Sequence, residues 1–220
     1  MSKKDTFIGL VKATHFGPLV LVVTIAFCLA ISQMPFNRSI EIAIAILAGQ
    51  CVVGWSNDLI DYPRDKAADR LKKPLVQGVV TLKQLQIGIV IALIAAILLS
   101  FLGPLGVKGG FLHLLGIGSA TAYNFGVKAT WFSPLPYAIS FGAMPWAIYS
   151  VAGKHPPIWL FIDFVLVSVA FHFLNVIKDL EWDRAQGVKG LPQRIGKRWS
   201  ICVAVVLAGI ALLLLFIRNK

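Results

Sequence analysis

The sequence predicts an all-α, polytopic transmembrane helix bundle of about seven spans, and two observations carry that expectation. Apolar residues make up 57% of the 220 positions against 14% charged, far from the balance of a water-soluble domain. They are also gathered into runs approaching the roughly 20 residues that an α-helix needs to cross a bilayer.

Taken in order, the runs place spans at about 16–34, 39–57, 82–102, 105–123, 131–151, 158–177 and 199–217 within a single membrane domain covering 1–220. The fourth carries Gly106, Gly109, Gly110, Gly116 and Gly118, which suit a face where helices pack closely. The first is expected to be a retained span and not a cleaved leader, because the charge asymmetry of the later loops requires it. All Lys and Arg fall on the N-terminal side of these spans except Arg38, Lys108, Lys154, Arg218 and Lys220. Short cytoplasmic loops carry such an excess, so the N-terminus is expected inside, in a cell inner membrane.

The net charge of +11 does not point to nucleic acid, because the cations lie in short juxtamembrane loops. Anionic lipid headgroups or a phosphorylated substrate fit better. Cys28, Cys51 and Cys202 sit inside apolar runs with no metal or disulfide spacing, and are expected to be small core residues.

The acids are the informative residues. Of ten Asp and Glu, seven occupy two short segments: Asp58, Asp61, Asp65 and Asp69, then Asp179, Glu181 and Asp183. Each segment follows an even-numbered span, so both lie at the same, cytoplasmic, membrane edge, in motif stretches 57–81 and 175–198. On a continuing helix Asn175, Asp179 and Asp183 share a face with His172, being three or four residues apart. Asn57, Asp58 and Asp61 can share a helix end, whereas Pro63 is expected to turn the chain and leave Asp65 on a bend.

Clustered carboxylates at helix C-termini repel one another and the helix dipole. A cation between them removes the conflict, and Mg²⁺ fits, since it takes one or two carboxylates and bridges to phosphate. Arg70, Lys72 and Lys73 in the first stretch, and Lys178, Arg184, Lys189 and Arg194 in the second, could hold phosphate oxygens. The bland alternative is a pair of solvated helix ends satisfied by loop cations. The connection 62–81 is long for neighbouring spans and suits a lid.

At these residues the sequence resembles the UbiA superfamily of intramembrane prenyltransferases. Asn57-Asp58-Leu59-Ile60-Asp61-Tyr62-Pro63-Arg64-Asp65 is similar to the family's Asn-Asp-x-x-Asp-x-x-x-Asp pattern. Arg70, Lys72-Lys73-Pro74-Leu75 and Gly78 resemble its basic continuation, and Asn175, Asp179, Asp183, Gly187, Leu191-Pro192 and Gly196 its second motif. The chain differs in having seven expected spans where relatives commonly have nine, in a Tyr123 to Lys128 spacing of five where four is usual, and in Asn175 where other branches have a carboxylate.

The resemblance implies transfer of a polyprenyl group from its diphosphate to a hydrophobic or aromatic acceptor, such as a quinone precursor. Asp58, Asp61, Asp65, Asp179 and Asp183 would hold Mg²⁺, with Asp61 and Asp179 essential. Asn57, Arg70, Lys72, Lys73, Tyr123, Lys128, Asn175, Lys178 and Arg184 would bind substrate. His172, a polar residue within a span, is a candidate for acceptor orientation or proton removal, with a hydrogen-bonded structural role as the alternative.

Trp131, Phe132, Phe141, Trp146, Phe171 and Phe173 could face an allylic cation, although packing is the commoner use of such residues. His15, His113 and His155 show no partner pattern, and Asp163 is isolated. A non-catalytic prenyl-lipid carrier is the alternative function. A phosphatidyl-transferring enzyme is disfavoured by the absence of an Asp-Gly-x-x-Ala-Arg signature. Ala204, Ala208, Gly209 and Ala211 offer a small-residue face where a second copy or a partner helix could dock.

Overall fold

A computed structural model describes residues 3–218. Lys220, counted among the outer cations, lies outside them, as does the side chain of Lys3. The described residues form nine α-helices: α1 (Lys3–Ala13), α2 (Phe16–Ile31), α3 (Phe36–Ala67), α4 (Leu82–Leu102), α5 (Gly106–Phe125), α6 (Leu135–Val151), α7 (Ile158–Ile177), α8 (Leu180–Ala185) and α9 (Leu191–Arg218), with a 3₁₀ turn at Val127–Ala129. Each expected span falls on one long helix. By length and hydropathy α3, α4, α7 and α9 could each cross a membrane alone, and α1 with α2 qualifies as a pair bent by 67°.

Local chemistry explains most helix ends. Thr81 and Gln84 form a reciprocal capping box that starts α4. Gly126, with φ of 147°, stops α5. Gly196, at φ 84° and ψ 169°, kinks α9 near its start. The short helices α1 and α8 have no counterpart among the apolar runs, which register only segments long enough to span.

Inside the bundle, small residues let α2, α3 and α6 approach. Ala26, Ala30, Ala45 and Ala147 surround Ile42 and Ile148 in one cluster, the close van der Waals packing that holds helices together in lipid. The α1–α2 corner sits on α3 in the same way. A Cβ at Gly54 would lie 2.6 Å from the Thr14 carbonyl oxygen, and Trp55 Nε1 donates to the Leu10 carbonyl. The connection after α3 is tied down too, with Leu75 and Val80 buried against Ala13 and Leu85.

Three expectations are corrected. Pro63 does not turn the chain: α3 runs through it to Ala67. One ladder hydrogen bond is lost, while ion pairs from Asp61 to Arg64 and from Asp65 to Arg70 and Lys73 brace the turns around it. Conversely, no single helix carries Asn175, Asp179 and Asp183, because α7 ends at Ile177 and Asp179 stands just before the separate α8. Cys28 and Cys202 are exposed, since the lipid-facing surface of a membrane bundle is as apolar as its core.

Candidate active site

The helices enclose a cavity of about 1200 Å³. Its mouth gathers the C-terminal parts of α3 and α5, the start of α2, the connection after α3 and the α7–α8 junction. Its depth is lined mainly by apolar side chains, including Val22, Ile46, Leu105, Leu112, Met144 and Ile148. A polar mouth on an apolar chamber suits a ligand with an anionic head and a hydrocarbon tail.

From α3, Asn57, Asp58 and Asp61 reach the wall, as the i, i+1, i+4 spacing requires of one helix face. Asp58 Oδ1 meets both His15 Nε2, at 2.9 Å, and Lys73. Asp61 pairs with Lys128 and, at 3.2 Å, with Arg64. Asn57 Nδ2 donates to Asp61 and to Asn124 Oδ1, and Asn124 Nδ2 in turn donates to the Val53 carbonyl. Asp65 is held behind the wall by Arg70 and Lys73.

Opposite, Asn175, Lys178, Asp179 and Asp183 line the same cavity. Arg70 ties the two acidic segments together, reaching Asp65 at 3.5 Å and Asp179 at 3.1 Å. Its guanidinium stacks on Trp182, 3.9 Å from the ring centre, with Arg64 4.7 Å from the same ring. Burial pushes the Asp183 carboxyl above the usual range, and neighbouring Asp179 adds to it, while Arg64, a hydrogen bond from Gln193 and Lys128 oppose the rise.

Several expected residues meet here: Asn57, Asp58, Asp61, Arg70, Lys72, Lys73, Tyr123, Lys128, Asn175, Lys178, Asp179 and Asp183 all line the cavity. Three do not reach its wall, and Asp65, held behind it by Arg70 and Lys73, is the first. His172 is fully buried behind it, near Ser133 Oγ at 3.3 Å and packed against Tyr123 and Tyr137. Arg184 donates to the Gln193 carbonyl and so fastens α8 to α9. Of the aromatic candidates, Phe141 and Phe171 line the cavity, while Trp131 and Phe132 are exposed.

Sequence reasoning missed His15, Arg64, Asn124, Tyr137 and Trp182. Asn124 and Trp182 adjoin residues already singled out. His15 lies 43 residues from Asp58, and nothing in its neighbourhood signals the pairing.

The donor set fits Mg²⁺. The cavity carboxylates are hard oxygen ligands, and Asp58 Oδ2 is buried without a hydrogen-bond partner among the described residues. No three acidic, His or Cys side chains among those residues stand close enough to hold a metal unaided. An ion that binds through one or two carboxylates needs water and phosphate to complete its shell. Phosphate also has ready cations, since Lys12, Lys72 and Lys178 line the cavity with no ion pair among the described residues.

The UbiA prenyltransferase family matches residues 19–219. Among curated relatives, the 4-hydroxybenzoate octaprenyltransferase of Pseudoalteromonas atlantica is 31% identical over 169 residues, 75% of this chain and 58% of its own length. The bacteriochlorophyll synthase 33 kDa chain of Rhodobacter capsulatus is 26% identical over 191 residues, 80% of this chain and 62% of its own. The chain therefore spans about three fifths of the length of these relatives. A UbiA homologue of Archaeoglobus fulgidus bound to DMAPP and Mg²⁺ shares the fold at a TM-score of 0.77 and 16% identity, over 95% of this chain and 76% of that one. A UbiA homologue of Aeropyrum pernix aligns at 0.71 and 18%, over 97% and 78%.

Proposed function

The chain belongs to the UbiA prenyltransferase family, and from that premise we propose that it transfers a prenyl group from its diphosphate to an aromatic acceptor, with Mg²⁺, inside the membrane. The observation that carries this reading is the single cavity in which carboxylates and uncommitted lysines surround the mouth of an apolar chamber.

Asp58, Asp61, Asp179 and Asp183 would hold Mg²⁺, which would supply positive charge to offset that of the departing diphosphate. Lys12, Lys72 and Lys178 hold the outer phosphate oxygens, and Lys73, Arg70 and Lys128 turn toward them from their carboxylate partners. Asn57, locked by Asn124, orients Asp61. Tyr123 and Tyr137 line the cavity and pack edge to face on one another, which puts aromatic rings near where positive charge develops on the prenyl carbon. His172 packs these rings in place. The apolar wall keeps water from the cation until the acceptor ring carbon bonds to it and passes its proton to the released diphosphate.

The lysine and arginine distribution supports a cytoplasmic mouth and N-terminus in a cell inner membrane. The relative from Pseudoalteromonas atlantica makes 4-hydroxybenzoate the first acceptor to try. The test is release of diphosphate, with formation of labelled product, from prenyl diphosphates and a panel of aromatic acid acceptors, with and without chelator. Mg²⁺-dependent product formation supports the proposal. Tight binding of prenyl diphosphate with no turnover on any acceptor would overturn it in favour of a carrier.

A further inference from the structure

Besides Ser140, whose hydroxyl is committed to the Gly116 carbonyl, the apolar depth of the cavity contains two polar side chains that the proposed reaction does not use, Gln50 on α3 and His113 on α5. Gln50 precedes Asn57 by seven residues and His113 precedes Tyr123 by ten. At about 1.5 Å per residue both therefore sit roughly 10 to 15 Å below the mouth. They are also at one level. A Cβ at Gly49, next to Gln50, would lie 2.7 Å from His113 Nε2, so the imidazole abuts α3 beside the glutamine and only glycine leaves it room.

Their hydrogen-bonding capacity is open. Ser100 Oγ donates to the Ala96 carbonyl, which commits its hydrogen. Toward His113 Nδ1, at 2.7 Å, the hydroxyl therefore acts as acceptor. That places the ring proton on Nδ1 and leaves Nε2 a lone-pair acceptor with no protein partner among the described residues. The Gln50 carboxamide, with two donors and an acceptor, has none there either. Further apolar wall lies beyond the pair, from Ile46, Leu105, Ala147 and Ile148.

We propose that Gln50 and His113 form a polar collar that weakens the preference for long hydrocarbon tails, making them specificity-determining residues for prenyl chain length. This rests on the reading that the cavity takes a prenyl diphosphate. With a short tail bound, water can remain at the collar and satisfy both groups. A longer tail must displace that water and leave buried polar groups unpaired, a loss of about tenfold in affinity for each. Burying further methylenes still favours the longer tail. The collar therefore does not block it, but flattens the rise of affinity with length at the depth where the tail crosses.

The experiment measures dissociation constants in Mg²⁺ for dimethylallyl, geranyl, farnesyl and geranylgeranyl diphosphates, with inorganic diphosphate as a tail-free control. Wild type, Gln50→Leu and His113→Leu are compared. The expected result is unchanged affinity for inorganic and dimethylallyl diphosphate in both variants, and about a tenfold gain in the ratio of geranylgeranyl to dimethylallyl affinity. Gln50→Leu leaves the Ser100–His113 bond intact and serves if His113→Leu does not fold. Binding of all ligands with the same length dependence in wild type and Gln50→Leu overturns the collar but not the proposed function. Failure of every prenyl diphosphate to bind the wild type overturns both.

Discussion

The two acidic segments use the same residue types at nearly the same spacing, yet they build different walls. Asp58, Asp61 and Asp65 ride on one continuous helix and are 2%, 9% and 2% exposed. Asp179 and Asp183 straddle a helix break, and the Asp179 side chain is 39% exposed. Asp58, Asp61 and Asp65 are each held by cations, from the α1–α2 corner, from α3 itself, from the connection after α3 or from the segment after α5. At the α7–α8 junction the holders are fewer: Arg70 for Asp179 and Gln193 for Asp183. The first wall is pre-organised, whereas the second can adjust as a ligand enters. A site that must close on a substrate is well served by one rigid and one yielding side.

That contrast orders the expected effects of substitution. Asp61→Asn should be the most damaging, lowering kcat roughly 100-fold or more, because it removes a pre-set charge and also strands Lys128 and Arg64. Measured diphosphate release would check it, with membrane expression as the folding control. Asp179→Asn should cost roughly tenfold to 100-fold, since Asp183 lines the same cavity beside it and can partly substitute. Equal losses in the two variants would break the rigid-and-yielding distinction.

Arg70→Ala cuts the only ion-pair link between the segments among the described residues. It should raise KM for the prenyl diphosphate about tenfold, the value of one charge-assisted hydrogen bond, with little change in KM for the acceptor. A larger effect on the acceptor would place Arg70 outside the phosphate site.

Trp182→Leu removes the surface on which Arg64 and Arg70 stack, an interaction of about 0.5 to 1 kcal/mol at partly exposed sites. A few-fold rise in the same KM is expected, without loss of bundle stability in a thermal-melt assay. Smallest in activity is Pro63→Ala. It restores a backbone donor to an already helical turn, so the melting temperature should rise while turnover stays unchanged. A fall in turnover would assign Pro63 a role in aiming Asp61.

Much of this was legible beforehand because it is local. Long apolar runs, two acid-rich segments at the same membrane edge and an Asn-Asp-x-x-Asp spacing pointed to the bundle, the cavity mouth and most of its wall. The backbone through those segments was less legible. Proline lowers helix propensity at Pro63, but propensity is a weak prior against several ion pairs on adjacent turns, and α3 continues. The run from Asn175 to Asp183 reads as helix by spacing alone, yet the chain breaks after Ile177 and α8 fastens to α9 through Arg184 and Gln193.

By itself, then, the sequence determined an all-α membrane chain, the segments that carry its charge and the chemistry those charges suit. Hydropathy and helical periodicity are properties of neighbours along the chain. Only the tertiary structure decided which carboxylate meets which cation, that His15 serves Asp58, that His172 stands behind the tyrosines, and that Gln50 and His113 share one level of the chamber. Those pairings join residues 43, 67 and 109 positions apart, as in His15 with Asp58, Asn57 with Asn124 and Arg70 with Asp179. At such separations the partner is chosen by which helices pack side by side, a property of the whole bundle that no local window contains.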